Sequence, residues 1–437
     1  MTSVVGWIAG QGGALRGDVC VPGDKSVSHR AIMLGAIADG VTRIEGFLEG
    51  EDTRATEAIF RQLGVRIEAP GDTVRIVHGV GLHGLQAANQ PLDCGNAGTA
   101  MRLLTGLLAG QAFDSVLVGD ASLSQRPMRR VIDPLATMGA CIECDDGRAP
   151  LRILGAQTLR GADITLAVAS AQLKSALLLA GLYANGETHV NEPHPTRDYT
   201  ERMLTAFGVP CAFAPGSAAI RGGARLRATE VQVPADFSSA AFFLVAATLV
   251  PGSELVLRQV GMNPRRTGLL HLLRLMGADI DEENASVRGG EPVCDLRVRH
   301  ASLHGIDVPV DLVPDMIDEF PVLFVAAACA RGATTVTGAV ELRVKESDRI
   351  AVMASGLRAL GIRIDEMPDG ATIHGGALHG SAEVLDSHGD HRIAMAFAVA
   401  AQMAAGDVII GDVANVATSF PGFDALVRGV GFRLRNA

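Results

Sequence analysis

A mixed α/β fold, made by repeating one helix-and-strand unit six times, is what the sequence predicts, and three observations predict it. First, six polar clusters each open an Ala/Leu/Val/Met-rich stretch of helical length. They are Lys25-Ser26, Asn96-Ala97-Gly98-Thr99, Ser170-Ala171-Gln172, Asp236-Phe237-Ser238-Ser239, Asp318-Glu319 and Asp390-His391-Arg392. These stretches stop at Gly40, Gly110, Gly186, Gly252, Gly332 and Gly406. Second, an amphipathic segment follows each stop and ends on a hydrophobic-Gly pattern at Gly64, Gly139, Gly208, Gly277, Gly361 and Gly431. Third, strand-like residues come next, as in Val65-Arg66-Ile67 and Ile362-Arg363-Ile364. The unit, at roughly 70 residues, is far longer than a solenoid repeat and alternates helices with strands.

The central segment of each unit reads as a buried helix. In the last unit it runs Ile393-Ala394-Met395-Ala396-Phe397-Ala398-Val399-Ala400, apolar on nearly every side. A helix apolar all round belongs in a core rather than on a surface. Strands and the amphipathic helix of each unit are therefore expected to wrap it. Alanine lets helices approach closely, so a chain with 4% aromatic residues still fills a core. Six units group naturally as three plus three, giving two similar halves with a boundary near Pro234-Ala235-Asp236, where the fourth unit begins. A chain of 437 residues exceeds one ordinary domain on length alone.

Composition excludes several functions. Apolar content of 48% and charged content of 20% are those of a soluble globular protein. The longest apolar stretches, Phe320 to Ala330 and Ile393 to Ala405, are too short to span a membrane. No basic region followed by an apolar run and cleavage site opens the chain, so a cytoplasmic location is expected. A net charge of −10 argues against general nucleic-acid or membrane-surface binding. Seven cysteines are scattered, and Cys141-x-x-Cys144 lacks a second pair or His cluster to complete a metal site. No metal is expected. Of 38 basic residues only Lys25, Lys174 and Lys345 are lysines. Codon bias explains a general replacement of Lys by Arg, but not which three survive. Lys is a compact point charge whose pKa can be tuned, whereas Arg stays charged and forked, so the survivors point to point-charge or proton-transfer roles.

The polar openings carry the chemistry. A helix N-terminus has unpaired N–H groups and about half a positive charge. Small residues such as Gly98, Thr99, Ser170 and Ala171 let an anion reach that backbone. Ordinary N-capping is the competing reading, and it is favoured for Asp236, Ser238 and Ser239, which bring no nearby cation. The cationic motifs are more specific. Lys345-Glu346-Ser347-Asp348-Arg349 would set Lys345 and Arg349 one turn apart on a helical face, with Asp348 able to pair with Lys345. A solvated ion-pair network stays open for that motif taken alone. Gln125-Arg126-Pro127-Met128-Arg129-Arg130 places three arginines in a loop or first turn fixed by Pro127. Asp390-His391-Arg392 and Lys25-Ser26-x-Ser28-His29-Arg30 set charged and titratable groups at the starts of buried helices, with Ser26 and Arg30 on one face. Together these describe a site for a ligand with more than one anionic group, with Asp318 and Glu346 available for proton transfer.

The ordered set of motifs resembles the 5-enolpyruvylshikimate-3-phosphate synthase family of enolpyruvyl transferases over essentially the whole chain. It comprises residues 22–31, 92–102, 126–128, 170–175, 196–201, 317–321, 343–349 and 389–395, including Gly-Asp-Lys-Ser-x-Ser-His-Arg, Gly-Asn-Ala-Gly-Thr and Lys-Glu-Ser-Asp-Arg. The resemblance implies two lobes, each a three-fold βαβαββ assembly, as an inside-out barrel with buried parallel helices. It places 23–235 in one lobe, 1–22 with 236–437 in the other, and the active site in the cleft between. It implies transfer of the enolpyruvyl group of phosphoenolpyruvate to the 5-hydroxyl of shikimate 3-phosphate, with release of phosphate. No cofactor and no protein partner are implied, and a monomer is expected. Lys25 matches the lysine that touches both substrates and shuttles a proton. Ser26, Arg30, Ser170, Ala171, Gln172, Arg197, Asp318 and Lys345 match shikimate 3-phosphate positions. Gly98, Arg126, Gln172, Arg349 and Arg392 match phosphoenolpyruvate positions. Asp318 and Glu346 match the carboxylates assigned to the hydroxyl proton and the methylene carbon. Asn96, Thr99 and His391 look like supporting contacts, with a structural role equally open for His391.

Three positions depart from the commoner pattern: Leu103 in place of Pro, Thr418 in place of Lys and Glu341 in place of Asn. They look like a second bacterial subgroup, some of whose members tolerate glyphosate, although Gly98 is not the Ala that accompanies strong tolerance. The nearest rival is the sister transferase acting on UDP-N-acetylglucosamine. That enzyme usually carries a reactive Cys before the Arg-Pro pair, where this chain reads Gly119 to Gln125 without one. A nucleic-acid end-binding protein would want stacking aromatics, and one Trp and two Tyr offer few. An inert scaffold would leave Lys25, Arg126, Lys345 and Arg392 unexplained.

Overall fold

Residues 6–437 are described by a computed structural model of the chain. The first five residues of the expected 1–22 segment lie outside the described residues. Backbone packing divides the chain into two units. One takes the chain through Pro22, then Pro234–Ser286 and Pro292–Ala437; the other takes Gly23–Val233 with Val287–Glu291. Each has its own hydrophobic core.

The Gly23–Val233 unit holds three buried helices, Lys25–Ala36, Gly98–Ala109 and Ala171–Gly181, each followed by a strand and then a second helix. Its three sheets repeat one order. In the first, Asp39–Glu45 pairs in parallel with Glu230–Gln232 and antiparallel with Val74–Val80, which pairs antiparallel with Arg66–Gly71. Leu92–Asp93, Ser115–Val118, Arg148–Ile153 and Ile142–Asp145 follow the same order, as do Asp163–Thr165, Glu187–Asn191, Ser217–Arg221 and Cys211–Ala214. A parallel strand beside an antiparallel hairpin is thus the common sheet of this unit.

Two sheets of the other unit follow the same order, with strands drawn from both ends of the chain, while the third has only the antiparallel strands Ala333–Val336, Gly370–His374 and Ile364–Met367. Arg16–Val19 pairs in parallel with Glu254–Gly261. Trp7–Gly10 lies between Ala405–Gly411 and Arg433–Asn436, antiparallel to both. Its buried helices are Phe237–Leu249, Phe320–Ala328 and His391–Ala401, and every residue of all three is buried.

Close packing explains the Ala- and Gly-rich composition. A methyl group at Gly106 would sit 2.0 Å from the Ala176 carbonyl of the neighbouring helix, and one at Gly356 would sit 2.1 Å from the Phe397 ring. The repeated glycines do not simply stop helices. Gly40 lies inside the strand Asp39–Glu45 at φ +107°, a conformation that side chains disfavour, so it turns the chain into the strand. Gly110 differs: its φ is −88°, and there the constraint is the Tyr183 ring, 2.2 Å from where a Cβ would lie.

Candidate active site

Five of the six polar openings sit within a residue of a buried helix start, and Asn96-Ala97 leads directly into the sixth. Asp24, Ser170, Asp236 and Asp390 accept hydrogen bonds from backbone N–H groups of the first turn, fixing where each helix begins. In the Gly23–Val233 unit, the three central helices are buried except at Lys25, Ser26, Thr99, Arg102, Ala171 and Gln172. Water therefore reaches these helices only near their positive ends. All but Arg102 were expected from sequence.

Lys25 donates at 2.9 Å to Asp52, in the first turn of the helix Glu51–Gln62. Behind it, His29 Nδ1 lies 2.8 Å from Thr56 Oγ1. Burial, with the charges of Lys25 and Arg30, holds the His29 pKa well below its ordinary value of 6.5, so the ring is neutral. Arg30 is buried and donates to Thr200 Oγ1 at 2.7 Å, Ser175 Oγ at 2.8 Å and the Ser26 carbonyl at 2.9 Å. Burial lowers its pKa to about 10, against raising contributions led by Glu201, while half-buried Arg197 adds a like charge nearby. Ser26 thus enters this cluster through its carbonyl.

A second cluster surrounds Gly98. Arg126 donates to Asn96 Oδ1 at 2.6 Å, and Asn96 donates to Asp120 at 2.7 Å. Arg102 donates to Gln172 Oε1 at 2.7 Å, and Gln172 donates to Thr99 Oγ1 at 2.9 Å. A methyl group at Gly98 would lie 3.0 Å from Arg126 Nη1 and 3.2 Å from Arg102 Nη1. Two guanidinium groups therefore flank this helix start, an arrangement suited to a phosphate or carboxylate. Arg129 and Arg130 of the same motif are exposed.

In the other unit the cations meet carboxylates. Arg349, with a side chain 1% exposed, donates to Asp390 at 2.8 Å and Glu346 at 2.6 Å and lies 3.5 Å from Asp318. Burial opposes its charge, but Asp390, Glu346 and Asp318 outweigh burial and raise its pKa. Asp318 also lies 3.7 Å from Lys345 Nζ and 3.6 Å from Arg266 Nη1. Arg392 donates to the Asp318 carbonyl at 3.1 Å and lies 3.8 Å from Glu319. His391 is buried at the helix start beside it.

Three expectations about this cluster need correction. Lys345 and Arg349 do not share a helical face: Asp348 accepts from the Ala351 N–H and starts the helix at Arg349, leaving Lys345 extended at the end of the preceding turn Val340–Val344. Asp348 pairs with Arg343 at 2.9 Å, and Lys345 pairs with Asp318 instead. Asp236 does cap its helix, but it also has a cation, Arg266, at 3.0 Å. Arg266, which donates to Ser238 Oγ at 2.6 Å, was not found from sequence because it lies far from every polar opening. Asp52 was missed for the same reason. Arg102 stands inside a quoted motif, one helical turn after Gly98, and that spacing was the available signal.

Among the described residues no group of three or more His, Cys, Asp or Glu side chains could hold a metal ion, and no helix is long and apolar enough to cross a membrane.

A mixed α/β protein whose buried helices start on clustered cations, amides and carboxylates is one built to hold small polyanions. Comparison with known proteins gives the family. Residues 10–426 match EPSP synthase (3-phosphoshikimate 1-carboxyvinyltransferase), and the chain belongs to that family. The 3-phosphoshikimate 1-carboxyvinyltransferase of Xanthomonas campestris pv. campestris (strain B100) is 70% identical over 98% of this chain and 98% of its own length. An EPSP synthase structure from Acinetobacter baumannii has a TM-score of 0.89 at 49% identity, covering 99% of this chain and 100% of that one. The enolpyruvyl transferase NikO from Streptomyces tendae is 20% identical, with a TM-score of 0.81 and 99% of both chains covered, a likeness of fold alone.

Proposed function

We propose that this chain is an enzyme of the shikimate pathway that transfers the enolpyruvyl group of phosphoenolpyruvate to the 5-hydroxyl of shikimate 3-phosphate, releasing inorganic phosphate. The observation that carries this is relatedness to 3-phosphoshikimate 1-carboxyvinyltransferases at 70% identity over nearly the whole chain. The geometry supports it through the cations and amides at the helix starts, which suit two phosphates and two carboxylates.

The side chains divide the work. Arg30, Arg197, Ser26, Ser170, Ala171, Gln172 and Lys345 hold shikimate 3-phosphate. Gly98, Arg126, Gln172, Arg349 and Arg392 hold phosphoenolpyruvate, with Asn96 and Thr99 supporting them. A proton passes to the methylene carbon of phosphoenolpyruvate, its neighbouring carbon becomes cationic, and the 5-hydroxyl oxygen bonds there. Asp318 takes the hydroxyl proton, and the product of this step is a tetrahedral adduct. Loss of a proton from the new methyl group then reforms the double bond as the C–O bond to phosphate breaks. Glu346 serves the methylene carbon, and Lys25, held by Asp52, serves both substrates. Such general acid–base groups contribute about 10²–10⁴-fold.

The same proposal assigns 23–235 and 1–22 with 236–437 to two lobes of three βαβαββ units each, an inside-out barrel, with both lobes acting on one pair of substrates. A cytoplasmic monomer fits it. The test is phosphate release from phosphoenolpyruvate with two acceptors compared. Release with shikimate 3-phosphate and not with UDP-N-acetylglucosamine is expected; the opposite preference, or no release with either, overturns the assignment.

A further inference from the structure

Lys174 is the one lysine of three that the reaction above leaves unused. It lies on the central helix Ala171–Gly181, two residues past Gln172, and its side chain is only 4% exposed. Its ammonium meets three acceptors: Glu192 Oε2 at 2.7 Å, Glu201 Oε1 at 2.9 Å and the Thr196 carbonyl at 3.4 Å. Three donors on a compact tetrahedral head fit three acceptors arranged around one point, which a planar guanidinium does not. This accounts for a lysine surviving here in a chain that otherwise uses arginine.

What those acceptors belong to gives the group its purpose. Glu192 also receives the Thr196 hydroxyl and the Thr196 N–H, so the segment 192–196 is folded back on Lys174. Thr196 immediately precedes Arg197. Glu201 stands on the helix Tyr199–Ala206, and its neighbour Thr200 donates to Ser175 Oγ at 2.7 Å. The pairs Lys174–Glu201 and Ser175–Thr200 therefore stitch two helices together side by side, and Arg30 bonds to both hydroxyls of the second pair. Breaking this arrangement would loosen both the segment 192–196 before Arg197 and the helix Tyr199–Ala206 after it.

We propose that Lys174, with Glu192 and Glu201, is a positioning residue that sets Arg197 and Arg30 for the acceptor substrate. The proposal rests on the assignment of those two arginines to shikimate 3-phosphate. The ion-pair group touches no substrate itself, and its effect falls on the acceptor rather than on phosphoenolpyruvate.

The test is steady-state phosphate release by wild-type, Lys174→Met, Lys174→Arg and Arg197→Met proteins, varying each substrate in turn. Lys174→Met is expected to raise KM for shikimate 3-phosphate about tenfold or more while moving KM for phosphoenolpyruvate less than about threefold, with Arg197→Met following the same split. Lys174→Arg is expected not to restore the acceptor KM. Because removing Lys174 leaves two buried carboxylates unpaired, the triple variant Lys174→Met/Glu192→Gln/Glu201→Gln is measured beside it. That variant is expected to regain thermal stability and keep the raised acceptor KM. Equal changes in both KM values, full rescue by Lys174→Arg, or a normal acceptor KM in a folded triple variant would each overturn the proposal. Wild-type protein inactive with shikimate 3-phosphate would instead sink the assignment of function.

Discussion

The two units solve the same problem with different partners. In the Gly23–Val233 unit, hydrogen bonds to neutral groups help orient the arginines near the helix starts: Arg30 donates to two hydroxyls and a carbonyl, Arg102 to the Gln172 amide, Arg126 to Asn96. In the other unit, Arg349 and Arg266 are set among Asp390, Glu346, Asp318, Asp236 and Glu319. The helix starts differ in the same direction. The first unit leaves Lys25, Ser26, Thr99, Arg102, Ala171 and Gln172 partly open, whereas the second buries its three central helices throughout. A cation oriented by a dipole keeps its charge for an incoming anion. A cation ringed by carboxylates is fixed but largely neutralised, and it leaves carboxylates able to move protons. The units thus differ in how many carboxylates stand beside their cations.

Four experiments test that contrast. The largest effect is expected from Lys25→Met, the exception in the first unit because its partner is Asp52: kcat for phosphate release falls about 10³-fold or more with the circular dichroism spectrum unchanged. Near-normal turnover would remove Lys25 from the chemistry. Next comes a pair of stability measurements by urea unfolding. Arg349→Met strands the fully buried Asp390 carboxylate and is expected to destabilise by about 3–5 kcal/mol. Arg30→Met leaves Thr200 and Ser175, which already bond to each other, and is expected to lose only about 1–3 kcal/mol. Equal losses would erase the distinction between dipole-held and carboxylate-held cations. Glu346→Ala is expected to lower kcat about 10²-fold while Arg349 stays anchored by Asp390, so that KM for phosphoenolpyruvate changes little.

The smallest effect is a pH dependence. His29 is held neutral in the folded chain by burial and by the nearby Lys25 and Arg30 charges. Below its ordinary value of 6.5 the unfolded chain binds a proton that the folded chain refuses. Stability is therefore full above that value and falls as pH drops toward the lowered folded pKa, by at most about 1.4 kcal/mol per pH unit. Urea midpoints of wild-type protein and His29→Asn compared from about pH 7 to about pH 5 test this. A variant with an undiminished slope would show that another group carries it.

Much of this molecule was legible in its sequence. The buried helices were visible because runs such as Ile393 to Ala400 are apolar on all faces, and periodicity is a local property of the chain. Their starts were visible because capping residues such as Ser170, Asp236 and Asp390 act on N–H groups two or three residues away. The Lys345–Arg349 helix was misplaced because local spacing does not say which of several polar residues caps; Asp348 does. Arg266 and Asp52 were missed because nothing in their own neighbourhoods marks them. Their roles exist only through Asp318, Asp236 and Lys25, which are distant in sequence.

Local residues were enough to show the alternation of helices and strands, the starts of the buried helices and the family to which the motifs point, because each rests on residues within a turn or two of one another. Which charge meets which partner was settled by packing. Lys174 illustrates the boundary: its survival among arginines was visible in the sequence, but its burial against Glu192, Glu201 and the Thr196 carbonyl was not. Electrostatic pairing acts through space, and the separations that decide it are set by packing rather than by order along the chain.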